Sequence, residues 1–326
     1  MFFGGSEMWT NFFKEDDFQK GMDETVLPWL KENLVEGTFE GEKGISIHYS
    51  MIHHPEEKAA VVIFHGYCEF FGKYHEMAYY LYRNGYSVYC IEQRGHGRSG
   101  RENHNPSAIH VVDFQDYVRD QKTFIDNVVK KNSGDVPLYL LAHSMGGLVG
   151  TRFLEDYPEV FDKAVLSSPM IQINFGKVPY FAVVLMGIWF SLTKNLEAYV
   201  PGGHDFEPVS DFEHSSQLSE ARYNYMFKQR LDNKAFQTSG ATMGWTWTSM
   251  KAVKKSKKNL NRIKTPVLLC QAGLDNKVDN RGQDYFIAHR PDVRFEKFPN
   301  SKHEIFNAAT EERERYYRTV LSFFEE

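Results

Sequence analysis

From residue 60 onward, short runs of consecutive apolar residues alternate with longer stretches in which apolar residues recur every three or four positions. Continuous runs of that length fit strands buried on both faces, and the wider spacing fits helices with one apolar side. The runs are AVVIFHG (60–66), YSVYCIE (86–92), PLYLLAHS (137–144), KAVLSSP (163–169), PVLLCQAG (266–273) and VRFEKFP (293–299). The helical spacing covers 74–84, 111–131, 145–155, 281–290 and 310–324. Strand and helix in turn predict an α/β fold, a mostly parallel central sheet with helices on both faces, whose ligands gather at the carboxyl ends of the strands. Upstream, GTFEGEKGISIHYSMI (37–52) alternates around glycines like an antiparallel hairpin and adds a mixed edge to the sheet.

This rhythm stops between about 170 and 250, where aromatic and apolar segments rich in Gly, Pro and Thr replace it. The pattern predicts an inserted cap at 170–250 between two parts of one core, 1–169 and 251–326. The basic run KAVKKSKKNLNRIK (251–264) leads back to the core and reads as the solvated face of a helix, with attraction to anionic lipid as the sharper alternative.

Composition narrows the class. The 326 residues are 42% hydrophobic and 15% aromatic, enough for a sizeable core. A formal net charge of −5 gives no reason to expect nucleic acid as a partner. Cys68, Cys90 and Cys270 are odd in number and widely spaced, which suggests neither a disulfide framework nor a thiolate metal site. The opening MFFGGSEMWTNFFKEDDFQK has no basic leader and no long apolar run, so the expectation is a cytoplasmic protein. The longest apolar run, VPYFAVVLMGIWFSL (178–192), has 15 residues, short of the roughly 20 that span a bilayer.

The candidate chemistry starts at LLAHSMGGLVG (140–150). Ser144 follows a strand and precedes a helical pattern, as in a nucleophile elbow, with Gly146 and Gly147 behind it and Ala142 where that motif has its first glycine. A serine hydroxyl is a weak nucleophile, so it needs a base, a group to orient the base and amide donors for the oxyanion. IFHGYCEFFGKYHEMA (63–78) opens a loop at a strand end, where the Tyr67 amide would pair with that of Met145 as the oxyanion hole. In CQAGLDNKVDN (270–280), Asp275 is the first acid beyond a buried strand; Asp279 and Asp284 compete, Asp279 being placed to cap the next helix. In KFPNSKHEIFNA (297–308), His303 completes the order serine, acid, histidine, which none of the other twelve histidines does. The glycines of EQRGHGRSGREN (92–103) lack the phosphate-loop lysine and read as a structural turn.

With these pieces in place the chain resembles the α/β-hydrolase fold, and within it the serine hydrolases grouped with monoacylglycerol lipases and lysophospholipase L2, of the serine aminopeptidase S33 type. The resemblance is carried by HGYCE (65–69), EQRGHGRSG (92–100), AHSMGG (142–147), GLD (273–275) and KH (302–303), in the family's order, and by 219–252, which is similar to the lysophospholipase L2 branch. It implies hydrolysis of lipid-like carboxylic esters by a Ser144, His303, Asp275 triad through an acyl-enzyme, with no metal or organic cofactor. The cap would line the acyl pocket and offers a peripheral membrane contact. Alternatives are an esterase for short or aromatic acyl groups, an aminopeptidase on the same fold, and a non-catalytic binding module. Two residues depart from the family's pattern: Cys68, where many relatives have glycine, and Ala142 in the elbow.

Overall fold

The computed structural model describes residues 9–326. The leader reading of the N-terminus rests in part on residues 1–8, which lie outside the described residues. Eight strands form one sheet: β1 (Leu34–Glu40), β2 (Ser46–Ile52), β3 (Ala59–Phe64), β4 (Tyr86–Ile91), β5 (Leu138–His143), β6 (Lys163–Ser167), β7 (Val267–Ala272) and β8 (Arg294–Phe298). Their spatial order is β1-β2-β4-β3-β5-β6-β7-β8. The hairpin β1–β2 joins β4 antiparallel, and the remaining pairs are parallel, so the mixed edge lies where the alternating segment places it.

The helices are α1 (Phe18–Gly21), α2 (Leu27–Asn33), α3 (His75–Arg83), α4 (Gln115–Phe124), α5 (Lys130–Asn132), α6 (Met145–Asp156), α7 (Tyr180–Leu192), α8 (Glu220–Asp232), α9 (Met243–Asn259), α10 (Asn280–His289) and α11 (Thr310–Glu325). They cover the two faces of the sheet, and β3 shows how. Its residues are all buried, and they alternate: Ala60, Val62 and Phe64 pack with Tyr117, Leu148 and Phe153 on one side, while Ala59, Val61 and Ile63 pack with Met22, Met77 and Tyr316 on the other. A strand buried on both faces has no polar period, which is why the core strands are continuous apolar runs in the sequence.

Several boundaries differ from expectation. The segment 111–131 is not one helix from its first residue: Val111 is buried but precedes the turn, Asp113 accepts from the Gln115 amide at 3.0 Å, and α4 passes into α5 through a π-helical turn at Ile125–Val129. A helical segment without a counterpart in the sequence reading runs from α1 through the π turn Met22–Val26 into α2. Between 170 and 250 the chain forms α7, α8 and the start of α9. α9 continues unbroken across residue 250, where Ala252, Ser256 and Leu260 are buried while Lys251, Lys254, Lys255 and Lys258 face solvent. The basic run is thus one side of a helix that belongs to both parts of the chain. The glycine-rich segment after β4 is a tight turn, with Gly95 and Gly97 at φ 78° and 53° and the Gly95 amide donating to Gly100 O at 2.9 Å.

Candidate active site

Ser144 is the single residue between β5 and α6, at φ 55° and ψ −118°. A non-glycine residue in that region costs roughly 1–3 kcal/mol and persists only where its surroundings over-determine it. They do so here. The Ser144 carbonyl accepts from the amides of Gly147 (2.9 Å) and Met170 (2.9 Å), and its own amide donates to Ser167 O at 3.1 Å. Gly146 has to be glycine because a Cβ there would lie 2.0 Å from Phe64 O, so the helix start presses on the end of β3. Ala142 faces Gly150, whose Cβ would sit 3.1 Å from the Ala142 methyl.

This turn points the Ser144 hydroxyl at His303, with Oγ donating to Nε2 at 2.7 Å. On the other side of the ring Nδ1 donates to Asp275 Oδ2 at 2.7 Å, which assigns the neutral tautomer with its proton on Nδ1. The second Asp275 oxygen accepts from the amides of Lys277 (2.8 Å) and Val278 (3.1 Å). Burial raises the Asp275 carboxyl, but the hydrogen bond from His303 and those from these two amides hold the group below its ordinary value. The competing acids are engaged elsewhere. Asp279 caps α10 by accepting from the Arg281 amide at 3.0 Å and pairs with that guanidinium, and Asp284 accepts from Gln271 at 2.9 Å.

The amides of Tyr67 and Met145 donate to no group among the described residues, and Met145 opens α6, where the helix dipole favours negative charge. The Tyr67 loop is fixed from below. His65 holds the Gly66 carbonyl through Nδ1 at 2.8 Å and accepts from the Gln93 amide at 2.8 Å through Nε2. Cys68 stands at φ 56°, a conformation that glycine adopts without penalty, and its thiol donates to Ser239 O at 3.0 Å, beside the Tyr67 hydroxyl on the same carbonyl at 2.9 Å.

A buried ion network escaped the sequence reading. Glu69 accepts from the Gly66 amide and the Tyr74 hydroxyl, each at 2.5 Å, and Lys73 bridges Glu69 (2.8 Å) and Glu304 (2.7 Å), the residue after His303. The spacing of Glu69 and Lys73 hints at an i, i+4 pair, but Glu304 is 231 positions away and nothing local announces it. His143 packs its ring 4.8 Å from that of His303, and burial pushes its pKa down to about 4, so it stays neutral.

Ser144 and His303 open into a cavity of about 520 Å³ that also reaches Tyr67, Tyr223, Arg230 and Trp245. Through Ile173, Ala241 and Trp245 it adjoins a second space of about 300 Å³ lined by Val178 and, on α7, by Val183 and Met186. A separate cavity of about 610 Å³ shares Ile173 but touches neither Ser144 nor His303. No group of three or more His, Cys, Asp or Glu among the described residues is arranged to hold a metal ion.

A mostly parallel eight-stranded sheet with a serine at the β5–α6 turn, hydrogen-bonded to a histidine and through it to an aspartate, has the architecture of an α/β-hydrolase. The family described as Serine aminopeptidase, S33, matches residues 55–310, and the chain belongs to it and is a carboxylic-ester hydrolase. Over 300 residues it is 30% identical to the probable lysophospholipase L2 of Haemophilus influenzae, covering 91% of this chain and 94% of that one. It is 31% identical over 255 residues to lysophospholipase L2 of Escherichia coli, covering 78% and 75%. Among solved structures it is similar to a soluble variant of monoglyceride lipase from Saccharomyces cerevisiae, with a TM-score of 0.71 at 17% identity over 90% of this chain and 94% of that chain. That last likeness speaks to the fold alone.

Proposed function

We propose that the protein hydrolyses lipid-like carboxylic esters, lysophospholipids or monoacylglycerols, with Ser144 as nucleophile, His303 as base and then acid, and Asp275 orienting the histidine. The observation that carries this reading is the chain of two 2.7 Å hydrogen bonds from Ser144 through His303 to Asp275 at the floor of a cavity that adjoins an apolar space under the cap. His303 takes the serine proton as Oγ attacks the acyl carbonyl, and returns it to the departing alcohol as the tetrahedral centre collapses to an acyl-enzyme. Water, deprotonated by the same histidine, then releases the fatty acid and regenerates Ser144. The amides of Tyr67 and Met145 hold the oxyanion in both steps.

In this reading 170–250 is a cap on a core made of 1–169 and 251–326, and the cap supplies the acyl lining. It also supplies a contact to the membrane surface on the cytoplasmic side. On α7, Phe181, Leu185, Trp189 and Leu192 are exposed by 67%, 61%, 65% and 76%, an apolar face of the kind that lies in a bilayer interface. No helix among the described residues is long and apolar enough to cross a membrane.

The test is covalent labelling by a fluorophosphonate, expected in the wild type and absent from Ser144→Ala, together with rates on acyl esters of increasing chain length. A wild type that neither labels nor cleaves any of them defeats the proposal. For the surface contact, co-sedimentation with phosphatidylglycerol vesicles should fall in a Trp189→Asp, Leu192→Asp variant; binding that is the same in both would rule α7 out.

A further inference from the structure

The cavity at Ser144 has two unlike kinds of lining. Toward Ile173, Ala241 and Trp245 it adjoins the apolar space under α7, where an acyl chain gains about 0.8 kcal/mol per buried methylene. The same cavity also carries the polar residues Ser215, Ser216 and Gln217, together with Arg230 near the end of α8. An ester bound at Ser144 with its acyl chain in that apolar space leaves its alcohol portion in the cavity with these polar residues.

Arg230 is unusual there. Its guanidinium lies over the Phe206 ring at 4.4 Å and donates through Nε to Phe236 O at 3.2 Å and through Nη2 to Thr238 O at 2.5 Å, both backbone carbonyls. Among the described residues no carboxylate comes within ion-pair distance of it. The acids that share its cavity are committed: Glu69 and Glu304 to Lys73, and Asp211 to His214 at 2.9 Å. Partial burial makes the charge costlier to keep and pulls the Arg230 pKa down, an effect that Cys68 and Tyr223 do not cancel. A cation placed out of bulk water without a counter-ion is expensive unless an anion arrives to meet it. A planar guanidinium with one nitrogen, Nη1, free of protein acceptors suits an oxygen of a phosphate. Lys277, whose ammonium donates to His214 O at 3.4 Å and pairs with no carboxylate among the described residues, adds a second positive charge to the same lining.

We propose that Arg230 is an anion subsite that reads the phosphodiester of a single-chain phospholipid and sets this head group above an uncharged glycerol. This rests on the reading of Ser144 as nucleophile toward lipid esters. It assigns Arg230 to specificity and leaves bond breaking to the residues around Ser144.

The experiment compares kcat/KM for oleoyl-glycerophosphoethanolamine and for monooleoylglycerol, offered in the same mixed micelles, in the wild type, Arg230→Gln, Arg230→Lys and the exposed control Lys228→Gln. Arg230→Gln should lower the ratio of the two by roughly 10- to 100-fold, mainly through KM for the phospholipid, the range expected for a lost charge-assisted hydrogen bond. Arg230→Lys should recover part of that, and Lys228→Gln should leave the ratio where it was. Equal losses on both substrates in Arg230→Gln would assign the residue a structural role and overturn the proposal. Should that variant fail to fold, wild-type hydrolysis of monooleoylglycerol decides: competitive inhibition by glycerophosphoethanolamine, beyond that by equal glycerol, supports the subsite, and equal inhibition removes it. Inorganic phosphate as a third inhibitor separates sources: inhibition as strong as by the glycerophosphodiester overturns head-group reading in favour of a free-phosphate site, and weaker inhibition supports it. A wild type that cleaves neither ester and does not label at Ser144 defeats the underlying function, a result distinct from a subsite failure with hydrolysis intact.

Discussion

At Asp275 two opposing effects meet, and the side chain contacts decide between them. Its carboxyl is wholly buried, which alone would favour the protonated acid, yet His303 and two amides surround it and the charged form wins. Because the folded carboxyl titrates below its ordinary 3.8, its charge contributes stability above that value, and the contribution is lost as pH falls through the lower folded pKa. The stability difference between the wild type and Asp275→Asn, measured by urea unfolding, should therefore shrink on acidification below about pH 4. In activity the same variant should lose on the order of 10⁴ in kcat, since an amide would favour the wrong imidazole tautomer. Asp279→Asn should stay within about threefold of the wild type, because asparagine caps a helix as well as aspartate. If the two variants exchange these behaviours in an ester assay, the orienting acid is Asp279.

Between elements, the seam of α6 against α9 carries an ionisable group under tension. Glu155 is fully buried and accepts from Ser256 at 2.7 Å, and burial outweighs Arg152 and Ser256 to push its pKa up to about 7. With the folded value above the ordinary 4.5, the folded state holds a proton that the unfolded chain has released, so stability falls as pH rises from about 4.5 to 7 and then levels. Glu155→Gln should flatten that slope in thermal unfolding across the same window; an unchanged slope would mean that Arg152 keeps the carboxylate charged. This seam also marks where sequence legibility ends. The core strands and α3, α6, α10 and α11 were readable because burial on two faces or one leaves a plain signature. α7 was not: it is apolar nearly all round, so no three-to-four period stands out. The helical segment 18–33 does carry Phe18, Met22, Val26 and Leu30 in a buried row four apart, but Gly21 and Pro28 mask it, and the π turn is what keeps so strict a spacing on one side. Ser144, Asp275 and His303 were legible from chain order; Lys73 with Glu304 and the free Arg230 depend on contacts that only the folded chain creates.

For the molecule as a whole, the proposed division into cap and core does not imply two independent folding units. α9 begins over the cavity with Met243 and Trp245, ends against α6, and packs α7 through Trp247, which fills the space that a side chain at Gly187 would need. With α9 packed on both α6 and α7, loss of the 170–250 segment would uncover the face of α6. In a variant with Trp9 and Trp29 replaced by phenylalanine, the remaining tryptophans, Trp189, Trp245 and Trp247, lie in the 170–250 segment and report on it, while far-UV dichroism reports mainly on the sheet and its helices. Denaturant curves from the two probes should coincide, as for a single cooperative unit. A tryptophan transition that precedes the dichroism transition would make the cap a separately melting layer.

The contact between Ala142 and Gly150 changes how a nucleophile elbow is recognised. The room that the turn needs is not owned by the position two before the serine; it is a shared volume, one methyl of which β5 has taken and α6 has yielded. A search pattern that demands glycine at the first place rejects this chain, whereas one that counts side-chain volume across both places accepts it. Related sequences should then show the two positions trading a methyl group, alanine on the strand going with glycine on the helix, and a chain with side chains at both would signal that the serine between them no longer makes so sharp a turn.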